Sequence, residues 1–382
     1  MRICLTFYCS LLFLTTAGQD VSLMQYIQKN AKEINAGIDD FKGLEFLDTL
    51  LINKRIVLLG ESSHGTEEYS QTKLRLIKYL HQKLGFKVVL FESPMIPGTY
   101  FNLAKDTSTA DTLIRNTIQS IWHTETVLKL FDYLKENKLF FGGIDPQFIH
   151  SSYPALLFLY AFDNYPEIKK DLLQLEDRVA ETFKNKTQST RLQDSFSMAY
   201  TGLAMRLERL PLTSLQQWIS HMITINSSYY AHINNGNERD SCMAKNLIWL
   251  AELLYPKEKI IVWAHNSHID KNSTSTARFM GKMAAEHFGE QLYAVGLYMI
   301  NGTTALNNRN IIPIKKPSEN SLEGLLSATG FKTVFISTAN KSFNRSITTY
   351  HWGKDKQKLN LSKSYDAVIL INGASPPVYL KE

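Results

Sequence analysis

Four short apolar runs in this chain each end in a polar group able to carry a proton or a charge. Ile56-Val-Leu-Leu59 runs into Gly60-Glu61-Ser62-Ser63-His64, and Val88-Val-Leu-Phe91 runs into Glu92. Leu139-Phe-Phe-Gly-Gly-Ile144 ends at Asp145, and Ile260-Ile-Val-Trp-Ala264 ends at His265-Asn266-Ser267-His268. Continuous apolar runs of this length predict strands buried on both faces, as in a parallel sheet. Ligands of open α/β sheets sit beyond the carboxyl ends of such strands. Four strands that each deliver Glu, His or Asp at that end therefore predict one shared site.

Between these runs the apolar spacing changes from continuous to three-and-four. Helices are predicted over Val21–Ile38, Phe41–Leu51, Glu67–Leu84, Thr112–Ser120 and Thr124–Glu136, with Gly85 closing the third as a C-terminal cap. Later candidates are a helix over Thr276–Phe288 and strands at Leu292–Tyr298, Thr333–Ser337 and Ala367–Ile371. Alternation of this kind predicts an α/β fold: a mainly parallel sheet flanked by helices. Residues 151–257 break the rhythm, with long helical periods and no convincing strand. They predict a helical insertion forming a cap or one wall of a cleft, within a single catalytic unit of residues 19–382.

Composition narrows the class. With 382 residues, 44% of them hydrophobic, the chain can bury a large core. Arg2, the apolar stretch Ile3–Phe13 and the small residues Thr15-Thr-Ala-Gly18 read as an export signal over residues 1–18. The stretch is too short for a comfortable membrane span, so the expected product is secreted or periplasmic with no integral span. Of three cysteines, only Cys242 lies beyond that segment, which excludes an internal disulfide in the mature chain. The formal net charge is +6, spread in small clusters such as Lys315-Lys316. No basic stripe interleaved with aromatics is present, so nucleic acid is not an expected partner.

The candidate chemistry centres on His64. Its unperturbed pKa lies near neutrality, so a positioned imidazole can take a proton from water. Gly65 beside it permits close approach of backbone or ligand. Glu61 and Glu92 are candidates to orient that ring and stabilise its charged form. His265 and His268, three apart, offer either a catalytic imidazole with a neighbour that shapes the pocket or, with Glu61, Glu92 or Asp145, a zinc site. None of the usual metal-ligand spacings occurs, so no cofactor is expected. Asp145 reads equally as an orienting carboxylate or a turn residue before Pro146. Arg239 is a candidate to bind a carboxylate or a developing oxyanion, Trp122 with Glu125 an aromatic-polar wall, and Asn266 a residue fixing the loop. Ser62 and Ser63 resemble a nucleophile elbow only superficially, because His64 stands where the closing glycine belongs.

Taken together, Gly60-Glu61-Ser-Ser-His64-Gly65-Thr66, Phe91-Glu92, Trp122 with Glu125, Gly143-Ile-Asp145-Pro-Gln147, Arg239-Asp240-Ser-Cys-Met243-Ala-Lys-Asn246 and Trp263-Ala-His265-Asn266-Ser-His268-Ile269 resemble the erythromycin esterase family. They follow the family's order from about Asp48 to Asn372. The resemblance implies ester hydrolysis, with His64 as general base on water, Glu61 as its motif partner, Glu92 as the second-strand carboxylate and His265 with His268 as the distal pair. Arg239 matches the arginine that begins a helix of the inserted region. The expected activity is hydrolysis of a small-molecule ester or lactone, macrolide-type or other, with the tetrahedral intermediate held by His265 or His268 together with Arg239. The alternatives are a zinc-dependent hydrolase on the same residues, or an exported carbohydrate- or envelope-binding protein.

Overall fold

A computed structural model describes residues 22–34, 40–103, 108–147, 161–185, 189–232, 236–272 and 278–381. The predicted signal (residues 1–18), with Cys4 and Cys9, lies outside them. Twelve strands are described: β1 (Lys32–Glu33), β2 (Ile56–Leu59), β3 (Phe86–Pro94), β4 (Phe140–Asp145), β5 (Lys259–Trp263), β6 (Leu292–Met299), β7 (Thr303–Ala305), β8 (Ile311–Pro313), β9 (Thr333–Ser337), β10 (Ser346–His351), β11 (Asp355–Asn360) and β12 (Ala367–Ile371). Eight form one sheet in the order β1-β9-β12-β6-β2-β5-β3-β4. From β12 to β4 every neighbouring pair is parallel, and β9 runs antiparallel to both β12 and β1.

The continuous apolar runs have the predicted cause. In β2, Ile56 and Leu58 face one core and Val57 and Leu59 face the other, and none is more than 1% exposed. Burying one such side chain contributes about 1.5–3 kcal/mol, so a polar residue inside this strand would be costly on either face. One face is covered by α3 (Glu67–Leu84) and α6 (Glu125–Glu136), through Leu74, Ile77, Leu80, Leu130 and Phe131. Helix α3 occupies its predicted span, carries Glu67 and Glu68 in its first turn and ends at Gly85, whose φ of 74° is the left-handed conformation of a C-cap.

The other face is covered largely by the insertion. Among the described residues it contains helices Pro166–Lys184, Thr190–Leu207, Ser214–Ala231 and Gly236–Trp249. Phe196, Trp218, Met222, Cys242 and Leu247 share one core with Ile56, Val88 and Ile260. The inserted region is therefore layered on the sheet, and the start of its last helix reaches the strand ends.

Three local expectations change. The predicted helix Val21–Ile38 is helical over residues 22–30, after which Lys32–Glu33 pairs with β9. Pairing with a strand some 300 positions away is a tertiary choice that helical spacing does not encode. The helix expected over Phe41–Leu51 is confined to Phe46–Leu51, and the hairpins β7–β8 and β10–β11 were not anticipated. No helix among the described residues is long and apolar enough to cross a membrane.

Candidate active site

Sheet register explains why the four strand ends converge. Leu59 pairs with Trp263, Trp263 with Phe91, and Phe91 with Gly143, which sets four residues in one row across the sheet. Glu61 and His265 lie two positions beyond that row, Glu92 one beyond and Asp145 two beyond. All four are 5% exposed or less. Gly60 keeps the turn narrow, because a Cβ there would lie 2.2 Å from the Asn266 carboxamide oxygen. Gly65 allows an equally close approach, since a Cβ would sit 2.2 Å from the Ala305 carbonyl. These ends open into a cleft of about 400 Å³, whose lining includes His64, Glu92, Trp122, Arg239, His265 and His268.

Two groups of charges share this cleft. In the first, Glu61 accepts three hydrogen bonds. His64 Nδ1 lies 2.7 Å from Oε1, the Trp122 indole N–H donates to the same oxygen at 3.0 Å, and Lys73 Nζ donates to Oε2 at 2.7 Å. Burial alone would raise the Glu61 carboxyl, but the charges and hydrogen bonds of Lys73 and His64 outweigh it and hold it below its ordinary value. An ionised Glu61 requires a proton on His64 Nδ1. That leaves the Nε2 lone pair without a partner among the described residues, on a ring that lines the cleft. Lys73, wholly buried, also stands 4.4 Å over the Trp263 ring. Burial lowers its ammonium to about 8, against the opposing pull of Glu61.

In the second group every charge is spent. The Arg239 guanidinium donates from Nη2 to Glu92 at 2.7 Å, and from Nη2 and Nε to Asp145 at 2.5 and 3.2 Å. His268 lies between two carboxylates, with Nδ1 2.9 Å from Asp240 and Nε2 3.1 Å from Glu92. Burial opposes its charge, yet Glu92 and Asp240 raise it to about 10, so it is an imidazolium at neutral pH. Glu92 is held well below its usual range: burial opposes ionisation, and His268, His64 and Arg239 overcome it. Arg239 Nη1 lies 3.2 Å from His268 Nε2; two donors meet there, both leaning on Glu92.

His265 belongs to neither group. Its backbone N–H donates to Glu92 at 2.8 Å, which links the two. The Ser267 N–H donates to its Nδ1 at 3.2 Å, so that nitrogen is the acceptor and Nε2 carries the hydrogen. Burial, with His64 and His351 nearby, keeps this imidazole neutral. Nε2 is buried and has no hydrogen-bond partner among the described residues. The Trp352 indole stacks on the ring at 25° and 5.4 Å, and His64 meets it edgewise at 5.1 Å.

The structure therefore gathers His64, Glu61, Glu92, Arg239, His265, His268, Trp122 and Asp145, although Glu92 supports Arg239 and His268 rather than His64. Asn266 is buried away from the cleft lining, its carboxamide bridging Leu297 N–H and C=O at 3.1 and 2.8 Å. It fixes the loop after β5. Glu125 is exposed at the start of α6 and does not line the cleft. Ser62 and Ser63 are buried and bonded to Tyr69 and Thr304, turned to partners other than His64. Glu92 and Asp145 already hold a guanidinium, and both His268 nitrogens are taken. Among the described residues no group of three His, Cys, Asp or Glu side chains is placed to hold a metal ion.

Sequence reading missed Lys73, although a signal was present: Tyr69, Lys73, Ile77, Leu80 and Leu84 form the buried stripe of α3, and a lysine within such a stripe demands a partner. It also missed His351 and Trp352, at the tip of the β10–β11 hairpin. Trp352 has φ 54° and Gly353 φ 66°, the left-handed pair of a tight hairpin turn. A tryptophan in that conformation is strained. It is held by a hydrogen bond from its N–H to the Ser62 carbonyl at 2.8 Å.

Comparison with known proteins agrees with this architecture. A family model described as erythromycin esterase matches residues 81–373. YbfO of Bacillus subtilis (strain 168), itself a hydrolase by provisional name, is 30% identical over 99% of this chain and 97% of its own. Erythromycin esterase type II of Escherichia coli is 23% identical over 88% of this chain and 93% of its own. Among solved structures, a Bacillus cereus protein superposes with a TM-score of 0.78 at 17% identity, covering 95% of this chain and 99% of that one. A mutant of erythromycin esterase EreC in its open conformation gives 0.71 at 20% identity, covering 92% and 100%. The fold is shared at these low identities, and the family match covers most of the chain: this protein is a hydrolase that belongs to the erythromycin esterase family.

Proposed function

We propose that the protein hydrolyses a carboxylic ester or lactone, with His64 as general base. The observation that carries this reading is the Glu61–His64 pair: a buried carboxylate 2.7 Å from Nδ1 fixes one tautomer and points the basic nitrogen at the cleft. A water held by Nε2 gives up a proton as its oxygen bonds to the ester carbonyl carbon. Glu61, anionic beside Lys73, stabilises the imidazolium that forms. The oxyanion is met by the His265 Nε2–H, a neutral donor with no hydrogen-bond partner among the described residues. Collapse breaks the C–O bond, and the alkoxide takes the proton back from His64, giving acid and alcohol. Arg239 and His268, both positive, are held against Glu92, Asp145 and Asp240. Their bonds to carboxylates make them fixed electrostatic supports rather than proton carriers.

Purified protein incubated with a panel of esters, lactones and a macrolide, followed by mass spectrometry, tests the reading. A water-mass gain with the wild type and its loss in His64→Ala is the expected result. Equal gain in both would end the assignment of His64. Export with removal of residues 1–18 belongs to the same proposal, and N-terminal sequencing of the protein recovered outside the cytoplasm should begin near Gln19.

A further inference from the structure

The lining of the cleft says what kind of ester it suits. Ligand pockets are mostly apolar, with a few polar groups to orient the ligand. Here the proportion is reversed, and among the described lining residues Ile121 alone carries an aliphatic side chain. The floor is the charged cluster around Arg239. The rim carries Gln119 and Asn307, whose side-chain amides bond no described residue, and Ser120 beside them. An apolar macrocycle laid here would strip water from those amides without replacing it, at about 1–3 kcal/mol for each group. A hydroxyl both donates and accepts, as an amide does, so a body rich in hydroxyls replaces that water bond for bond. The half-buried Trp352 indole, less enclosed than the buried Trp122, supplies a broad flat surface, its backbone strained and tied to Ser62 within reach of His64 and His265. The polarised C–H face of a saturated ring suits the electron-rich face of an indole.

We propose that the ester or lactone taken by this cleft is carried on a polyhydroxylated, sugar-like body that lays its ring against Trp352 and bonds its hydroxyls to the Gln119 and Asn307 amides. The proposal rests on the hydrolase reading for turnover, while the recognition of the sugar-like body stands on the lining alone. Two measurements separate them. The first compares kcat/KM for 6-O-acetylglucose and glucono-δ-lactone with that for 4-nitrophenyl butyrate and pentadecanolide, an apolar macrolactone. The second follows saturation transfer by NMR to N-acetylglucosamine, an amide the enzyme is not expected to cleave.

The expected result is preference for the sugar substrates, and a preference ratio that falls about tenfold or more in Trp352→Ala and in Gln119→Leu. Trp352→Phe, which keeps an aromatic face, should retain most of the ratio and serves as the control for folding. His64-dependent turnover confined to the apolar substrates would overturn the sugar proposal and leave the hydrolase reading standing. If nothing is hydrolysed, saturation transfer that is lost in Trp352→Ala supports the sugar-like ligand while the hydrolase reading fails. Absence of transfer to N-acetylglucosamine together with no turnover of the sugar substrates overturns the proposal.

Discussion

The two charge groups facing each other across the cleft use the same residue types to opposite ends. Around Glu61, one buried carboxylate is shared by a lysine, an indole and a histidine, and the histidine keeps one nitrogen free. Around Glu92, two cations are shared among three carboxylates, and both nitrogens of His268 are bound. A histidine's chemistry is thus set by how many of its nitrogens are left over, not by its presence at a strand end. The first group is poised to move a proton. The second is an electrostatic clamp that holds β3, β4 and the helix Gly236–Trp249 together.

The sharpest break of this contrast is between His64→Ala and Arg239→Met. The first should lower kcat about 10²–10⁴-fold while costing only about 1 kcal/mol of stability, because Glu61 keeps two other donors. The second leaves Glu92 and Asp145 buried without their guanidinium. It should cost about 3 kcal/mol in a denaturant titration, the low end for a broken buried pair, since the Arg239 side chain is 24% exposed. Comparable stability losses in the two variants would dissolve the distinction.

Lys73→Met tests the link from α3 to the base. Loss of one charge-assisted bond, about 1.5–3 kcal/mol, should lower kcat roughly ten- to a hundredfold at neutral pH. The acid limb of the pH–rate profile should move to higher pH as Glu61 becomes easier to protonate. An unmoved limb would mean that Lys73 only fills space.

The clamp has its own signature in stability against pH. His268 rises from 6.5 to about 10 on folding. Its contribution is therefore complete below pH 6.5 and declines as pH rises towards 10. Lys73 falls from 10.5 to about 8, so its contribution grows with pH between those values and opposes the decline. The His268 slope should accordingly be steepest between about 6.5 and 8, and His268→Gln should remove it. Persistence of that slope in the variant would show that other groups cause it. The smallest effect is expected for Trp122→Phe, which keeps the ring beside His64 but deletes one of the three bonds to Glu61. About 1 kcal/mol, or roughly fivefold in kcat, is expected.

Much of this site was legible before any coordinates. Alternation of apolar runs with helical periods predicts the parallel core, because strands buried on both faces must be apolar at every position. The runs also mark their own ends, so Glu61, His64, Glu92, Asp145, His265 and His268 could be named, and Arg239 could be named from the start of the last inserted helix. Their division of labour could not. That His268 is saturated and His265 is not depends on Asp240 and Ser267, whose approach is set by packing of the helix Gly236–Trp249 and the loop after β5. Glu125 shows the reverse error: grouped with Trp122 by proximity in sequence, it stands exposed outside the cleft lining, whereas Asn266 fixes its loop as expected.

What the sequence determined alone is local and periodic: which segments become strands and helices, where each stops, and which proton-moving groups stand at the stops. What only tertiary structure decided is adjacency across long separations. It inserted β5 between β2 and β3, brought Lys73 under Glu61, and carried Trp352 from a distant hairpin to His64 and His265. The physical reason is that period and capping are settled within a turn or two of chain. Pairing between remote segments is chosen by which arrangement buries the most apolar surface and leaves the fewest charges unmatched.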